Sequence, residues 1–208
     1  MRLYLASTSP ARLATLRAAG IEPVVLPSAV DEEAAVAAAG PLTAEEMVLL
    51  LARLKASAVA DRPVDGSPLD GFVLGGDSAF ELDGVVYGKP HLASVARERW
   101  LHQRGRTGLL HSGHWLIDHR GGLLGEGRGA VSTARVTFAA DLTEAEIDAY
   151  IATGEPLEVA GAFTIDSLGA PFVTSVEGDP HAVVGLSLAT LRTLLLGFGV
   201  AWPTLWNR

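Results

Sequence analysis

The chain of 208 residues is 49% hydrophobic and 19% charged, and its 24 acidic residues against 16 basic ones give a net charge of −8 at pH 7. That balance is unfavourable to polynucleotides and to an anionic membrane surface. There is no Cys, which excludes disulfides, thiolate nucleophiles and Cys-ligated zinc, and a cytoplasmic, soluble enzyme with a sizeable core is the expectation.

Residues 2–6 read as a short buried strand, an apolar run too short for the core of a signal peptide. Ser7-Thr8-Ser9-Pro10 follows, with Ser9 as a helix cap and Pro10 in the first helical position. That helix runs through Leu13 and Leu16 to Gly20, and residues 21–26 return as a second strand, giving a β-α-β opening. Residues 27–42 are expected to form an acidic, Ala-rich connection. Thr43 and Glu46 form a capping box, and Met47, Leu50, Leu51, Leu54 and Ala58 give the next helix its apolar spacing. Beyond a turn-rich linker at 61–70, a strand over 72–76 stops at Asp77. Alternation over 79–87 around Asp83-Gly84 predicts a hairpin closed by Gly88-Lys89-Pro90.

A helix over 94–104 is followed by a β-rich stretch over 107–138, turned at Arg120-Gly121-Gly122. A second capping box at Thr143 and Glu146 opens a helix with Ile147, Tyr150 and Ile151 on its apolar face, ended by Gly154. Strands over 163–165 and 171–176 and a final helix over 187–196 complete the pattern. No stretch reaches the roughly 20 apolar residues that span a bilayer. The fold class is α/β, a mixed central sheet with flanking helices.

Several positions carry chemistry. The corner Ser7-Thr8-Ser9-Pro10-Ala11-Arg12 offers helix N-terminal N–H groups, hydroxyls and a guanidinium, which suit a phosphate. It also reads as an ordinary Ser-Pro cap with a surface Arg. Asp77, after Gly75-Gly76, sits where open α/β sheets bind ligands, or it opens the turn into the hairpin. Only Lys55 and Lys89 among the basic residues are Lys. Lys89 is returned toward Asp77 by the hairpin, or is a solvated turn lysine. Asp31-Glu32-Glu33 offers a second carboxylate for Mg²⁺, or is a solvated loop, and Glu177-Gly178-Asp179 leaves the same choice. On a strand, His111 and His114 point to opposite faces, and His111 and His119 are about 26 Å apart, so the three cannot share an ion.

Taken together and in order, LASTSPAR at 5–12, VDE at 30–32, LARLKA at 51–56, LGGDS at 74–78, GKP at 88–90, TGEPLEVAGAFTI at 153–165 and VEGDPHAVVGLSL at 176–188 resemble the Maf family over nearly the whole chain. The resemblance implies one Maf-like domain over residues 1–208 with two lobes around a cleft, commonly a homodimer. It implies a nucleoside triphosphate pyrophosphatase that uses a divalent cation, Mg²⁺ or Mn²⁺, on a canonical or modified nucleotide. A non-catalytic, nucleotide-binding role in septum formation is the alternative that the family's name carries.

Carried over by motif, Asp77, Lys55 and Lys89 are the catalytic candidates, with Asp77 as proton acceptor or metal ligand and Glu32 as its partner on the metal. Ser7, Ser9 and Arg12 match the phosphate-binding positions. Ala11, Ser78 and Asp166 depart from the family's usual Arg, Thr or Gln, and Gln, at positions resembling its specificity set. Asp166 accepts hydrogen bonds from N–H donors, which favours guanine over thymine or uracil. Gly108 stands where the family has a His.

Overall fold

A computed structural model describes residues 1–208. The elements in chain order are β1 (Arg2–Ala6), α1 (Pro10–Ala18), β2 (Val24–Val25), α2 (Glu32–Ala39), α3 (Ala44–Ala60), β3 (Gly71–Leu82), β4 (Val85–Tyr87), α4 (Ala93–Gln103), β5 (Thr107–His119), β6 (Gly127–Phe138), α5 (Glu144–Ala152), β7 (Val173–Glu177), α6 (Pro180–Val184) and α7 (Leu188–Gly197). They form a mixed sheet of order β2-β1-β3-β5-β6-β7, with β4 on β3, flanked by helices. No helix is long and apolar enough to cross a membrane. The chain divides into two compact units, one of Met1–Asp77, Ser112–Ser132 and Gly185–Arg208, the other of Ser78–His111 and Thr133–Val184.

In the first unit β1 pairs in parallel with both β2 and β3, the last β1–β3 pair being Ala6 with Gly75. Leu3, Leu5, Leu16, Phe72, Leu74 and Leu195 form the core on one side, while Tyr4, Ala56, Val59 and Val73 form a second cluster. The capping box of α3 is present as read, with Thr43 Oγ1 accepting from Glu46 N at 3.2 Å and Glu46 Oε2 accepting from Thr43 N at 2.9 Å. Of the expected apolar face only Leu51 is buried. It is joined inside by Val48, Ala52, Lys55, Ala56 and Val59, whereas Met47, Leu50 and Leu54 are half-buried and Ala58 is exposed. The cause is clearance. A Cβ on Gly75 would overlap the Ala52 carbonyl oxygen and lie 2.8 Å from Ala56 N, and one on Gly113 would lie 2.8 Å from Leu49 N. Small residues on α3 meet glycines on β3 and β5, so the helix packs backbone to backbone there and turns Leu50 and Leu54 sideways.

The second unit has an aromatic core. Phe80, Trp100, Phe138, Tyr150 and Phe163 meet edge to face at centroid separations from 4.9 to 5.7 Å, pairs worth about 0.5–1.5 kcal/mol each beyond their burial. Trp100 Nε1 donates to the Ala162 carbonyl at 2.8 Å, which satisfies the one polar atom of that ring. The hairpin β3–β4 turns at Asp83 (φ 53) and Gly84 (φ 76) as its sequence predicts. A Cβ at Gly108 would lie 2.6 Å from Phe80 Cε2, so the Phe80 ring occupies the room that a His at this position would need.

Four further expectations are corrected. Residues 27–42 are not all connection, because Glu32–Ala39 form α2, capped by Asp31 Oδ1 accepting from Ala34 N at 3.0 Å. The second strand shrinks from 21–26 to Val24–Val25. Asp77 does not end a strand but lies inside β3, which continues to Leu82. Residues 163–165 are not a strand. Phe163 is buried through its ring, not through a ladder, and the later strand starts at Val173 after a 3-10 turn at Ala170–Phe172.

Candidate active site

β1 leaves the sheet after Ala6 and turns through Ser7 into α1, while its neighbour β3 runs on past Gly75. The carboxyl end of β1, the first turn of α1 and the Gly76-Asp77 step of β3 therefore meet at the place where a parallel α/β sheet presents its ligand-binding edge.

At the α1 corner, Pro10 takes the first helical position and Ser9 Oγ accepts from Arg12 N at 3.3 Å. Ser7 Oγ accepts from Ser9 N and from Arg12 Nη1, both at 3.1 Å. Arg12 is not a surface residue. It is 8% exposed, and its Nε donates to the Gly185 carbonyl at 2.8 Å. A Cβ on Gly76 would come within 3.2 Å of Arg12 Nε, so Gly76 clears the path of the guanidinium along the strand. Burial lowers the Arg12 pKa below its ordinary value, and the charges of Asp77 and Glu32 work against that. Ser9 takes one first-turn N–H as a cap, and others, such as that of Ala11, have no intrahelical acceptor.

On the other side, Lys55 extends from the close-packed face of α3. Its Nζ lies 2.6 Å from Asp77 Oδ1 and 2.7 Å from Glu32 Oε1, one oxygen from β3 and one from the first turn of α2. Lys55 and Asp77 are each 8% exposed and Glu32 faces solvent. Burial raises the Asp77 pKa, against the lowering effect of Lys55 and Arg12. A buried ion pair of this kind adds little net stability over an apolar one, and a carboxylate with a shifted pKa among cations is a candidate functional group. No group of three or more His, Asp or Glu side chains is placed to hold a metal ion.

A family model described as Maf-like protein matches residues 2–198. The chain belongs to the Maf family. The Leifsonia xyli subsp. xyli protein named nucleoside triphosphate pyrophosphatase is similar at 68% identity, over 100% of this chain and 98% of its own. The proteins of that name from Salinispora tropica and Cutibacterium acnes are similar at 51% and 48% identity, over 100% and 98% of this chain and 88% and 93% of theirs. Among solved structures, the Staphylococcus aureus Ham1 protein aligns over 67% of this chain and 73% of its own at 18% identity and a TM-score of 0.43, too loose a likeness to bear weight.

Of the residues matched to Maf motifs, Ser7, Ser9, Ala11, Arg12, Glu32, Lys55 and Asp77 all lie in the first unit, and the bonds above join Ser7 to Arg12 and Lys55 to Glu32 and Asp77. Lys89, Ser78 and Asp166 lie in the second unit. Lys89 is exposed after β4, Ser78 is half-buried in β3 and Asp166 is exposed in a bend. The three His of β5 have separate partners in this Maf chain. His111 Nδ1 meets Thr133 Oγ1 at 3.0 Å, His114 Nε2 accepts from Ser187 N at 2.9 Å, and His119 Nδ1 meets the Leu69 carbonyl at 3.0 Å. The Gly185 carbonyl that holds Arg12 left no trace in the sequence. Gly75 and Gly76 did, as adjacent glycines inside a strand, a pattern that marks close approach by something else.

Proposed function

We propose that this Maf protein is a nucleoside triphosphate pyrophosphatase, hydrolysing the bond between the α and β phosphates to give a nucleoside monophosphate and pyrophosphate. The observation that carries the reading is the buried Asp77, bonded to Lys55 at 2.6 Å beside the α1 corner with its buried Arg12. The names of the curated relatives point the same way. In this reading the N–H groups of the α1 corner, Ser7, Ser9 and Arg12 receive phosphate oxygens, and Lys55 and Lys89 offset the charge that develops on the leaving pyrophosphate. Asp77 takes a proton from the water that attacks the α-phosphorus, as the bond to the β-phosphate breaks. A pKa raised by burial suits it to that task.

Glu32 and Asp77 also fit a hard divalent ion such as Mg²⁺ or Mn²⁺. Lys55 bonds to one oxygen of each carboxylate, and their remaining lone pairs match an ion that takes one or two carboxylates and completes its shell with water and phosphate oxygens. Such an ion, when bound, draws charge from the phosphates and acidifies water. Ala11, Ser78 and Asp166 belong in this proposal to base selection, with Asp166 favouring guanine through its N–H donors. The protein works as one Maf domain over residues 1–208, in the cytoplasm, as a homodimer acting on free nucleotides.

The test is a panel of nucleoside triphosphates incubated with Mg²⁺ or Mn²⁺, with pyrophosphate and orthophosphate assayed separately, on the natural protein and on Asp77→Asn. Pyrophosphate release that the substitution abolishes is expected. Orthophosphate as the first product would make the protein a phosphatase, and no turnover on any base would leave a nucleotide-binding regulator.

A further inference from the structure

One carboxylate in the second unit collects an unusual set of donors. Glu155 follows Gly154, which leaves α5 at φ 79. Its Oε1 accepts from Tyr150 Oη at 2.9 Å, Thr164 Oγ1 at 2.6 Å and Gly169 N at 3.2 Å, and its Oε2 accepts from Ser167 Oγ at 2.7 Å and Leu168 N at 3.3 Å. Burial opposes ionisation of this group, yet the Thr164, Ser167 and Tyr150 hydroxyls outweigh it and bring the carboxyl down to about 2. It is therefore a permanent anion with its lone pairs taken up internally, unavailable to a substrate or a metal.

All of the donors except Tyr150 belong to the loop 164–169. That loop is irregular, with bends in place of a ladder, and its own backbone bonds tie only its end, the Ser167 and Gly169 carbonyls accepting from Ala170 N and Phe172 N at 3.1 and 3.0 Å, so Glu155 holds the rest. Thr164 and Ser167 stand on either side of Asp166, and Asp166 itself is exposed. The loop is also pressed tightly onto its support. A Cβ on Gly169 would lie 2.6 Å from Tyr150 Oη and 2.8 Å from both Thr164 N and Thr164 O. The anchored residues thus flank the one side chain in the loop with a free carboxylate.

We propose that Glu155 is a positioning residue for base selection, which acts through the loop 164–169 by holding Asp166 in one direction. The inference rests on the pyrophosphatase reading and on Asp166 reading the base. Selectivity of this kind needs an acceptor fixed in space, because a carboxylate on a loose loop would find some donor on any base.

The experiment is Glu155→Gln in the full chain, with kcat and KM measured for guanine and thymine nucleoside triphosphates and amide hydrogen exchange followed at Leu168 and Gly169. Gln keeps the size but offers one acceptor oxygen where the loop needs two. The expected result is a loss of about tenfold in the guanine-over-thymine ratio of kcat/KM, carried by KM, with saturated kcat within about twofold. Exchange at the two amides accelerates by about tenfold as well, and Glu155→Asp recovers part of the ratio. An unchanged ratio with faster exchange would make Glu155 a structural anchor only and overturn the proposal, as would unchanged exchange, or a natural protein that does not discriminate between the bases. Should Glu155→Gln fail to fold, Ser167→Ala removes one donor beside Asp166 and must lower the ratio in the same direction, or the proposal fails. A natural protein with no turnover on any nucleotide refutes the pyrophosphatase reading itself, an outcome distinct from an active enzyme whose selectivity ignores Glu155.

Discussion

Gly75→Ala perturbs the site without touching any residue that would meet a phosphate. The added Cβ overlaps the Ala52 carbonyl oxygen and lies 2.8 Å from Ala56 N and 3.0 Å from Ala56 Cβ. Ordinary carbon–carbon contact is about 3.5–4.0 Å, so α3 must retreat from β3 by about 1 Å, and backbone atoms cannot swing aside as a side chain would. Overpacking of this kind costs about 1–3 kcal/mol, a loss of roughly 2–4 °C in Tm for each kcal/mol in a chain of this length. The larger effect falls on the chemistry. Lys55 rides on α3 one residue from Ala56, and its 2.6 Å bond to Asp77 and 2.7 Å bond to Glu32 leave no slack for such a shift. Misplacement by about 1 Å lowers turnover by about 10²-fold. Pyrophosphate release and calorimetry on the same preparation give both numbers. A Gly75→Ala protein with unchanged Tm and unchanged turnover would refute the argument that backbone clearance sets the Lys55–Asp77 geometry.

Asp77→Asn is expected to lower turnover by about 10²–10⁴-fold, and the natural protein's acid limb, read from kcat/KM against pH, is expected to lie above the ordinary Asp range, because burial raises the Asp77 pKa and the base must be ionised. The same shift has a stability consequence. The folded state holds the Asp77 proton more tightly than the unfolded state, so that contribution is full below the ordinary value of 3.8 and lost as pH rises through the raised one. Gly108→His, which restores the residue usual in the family, sets a Cβ 2.6 Å from Phe80 Cε2 and 2.7 Å from the Glu81 carbonyl oxygen, and guanidinium unfolding should give a loss of about 1–3 kcal/mol. Trp100→Phe strands the buried Ala162 carbonyl and costs about 1–3 kcal/mol by the same measurement.

Local chemistry made much of the fold legible. Thr43 with Glu46, Thr143 with Glu146, Ser9-Pro10 and Asp83-Gly84 each fix a terminus or a turn by bonds within a few residues, and each stands in the structure as read. Apolar periodicity misled wherever burial followed something other than size. None of the residues of α2 is buried, so no pattern marks it, and only its Ala content and the Asp31 cap favour a helix. On α3 Leu51 marks the inner face, but Leu50 and Leu54 draw the eye away from it, because the residues that meet the opposing glycines are small. In the candidate site, Lys55 and Asp77 are 22 residues apart in sequence. Their meeting was legible only through the order of motifs, and the burial of Arg12 against Gly185 was not legible at all, since a backbone carbonyl has no residue type to give it away.

The scarcity of lysine turns the protein into its own probe. Lys55 has 11% of its side chain accessible and is held by two carboxylates, whereas Lys89, the other lysine, is exposed. An acylating reagent applied to the native protein should add mass at Lys89 and spare Lys55. Modification of Lys55 then reports opening of α3 from the sheet, so that peptide mass spectrometry follows the integrity of the site in a mixture, without a substrate or an engineered label.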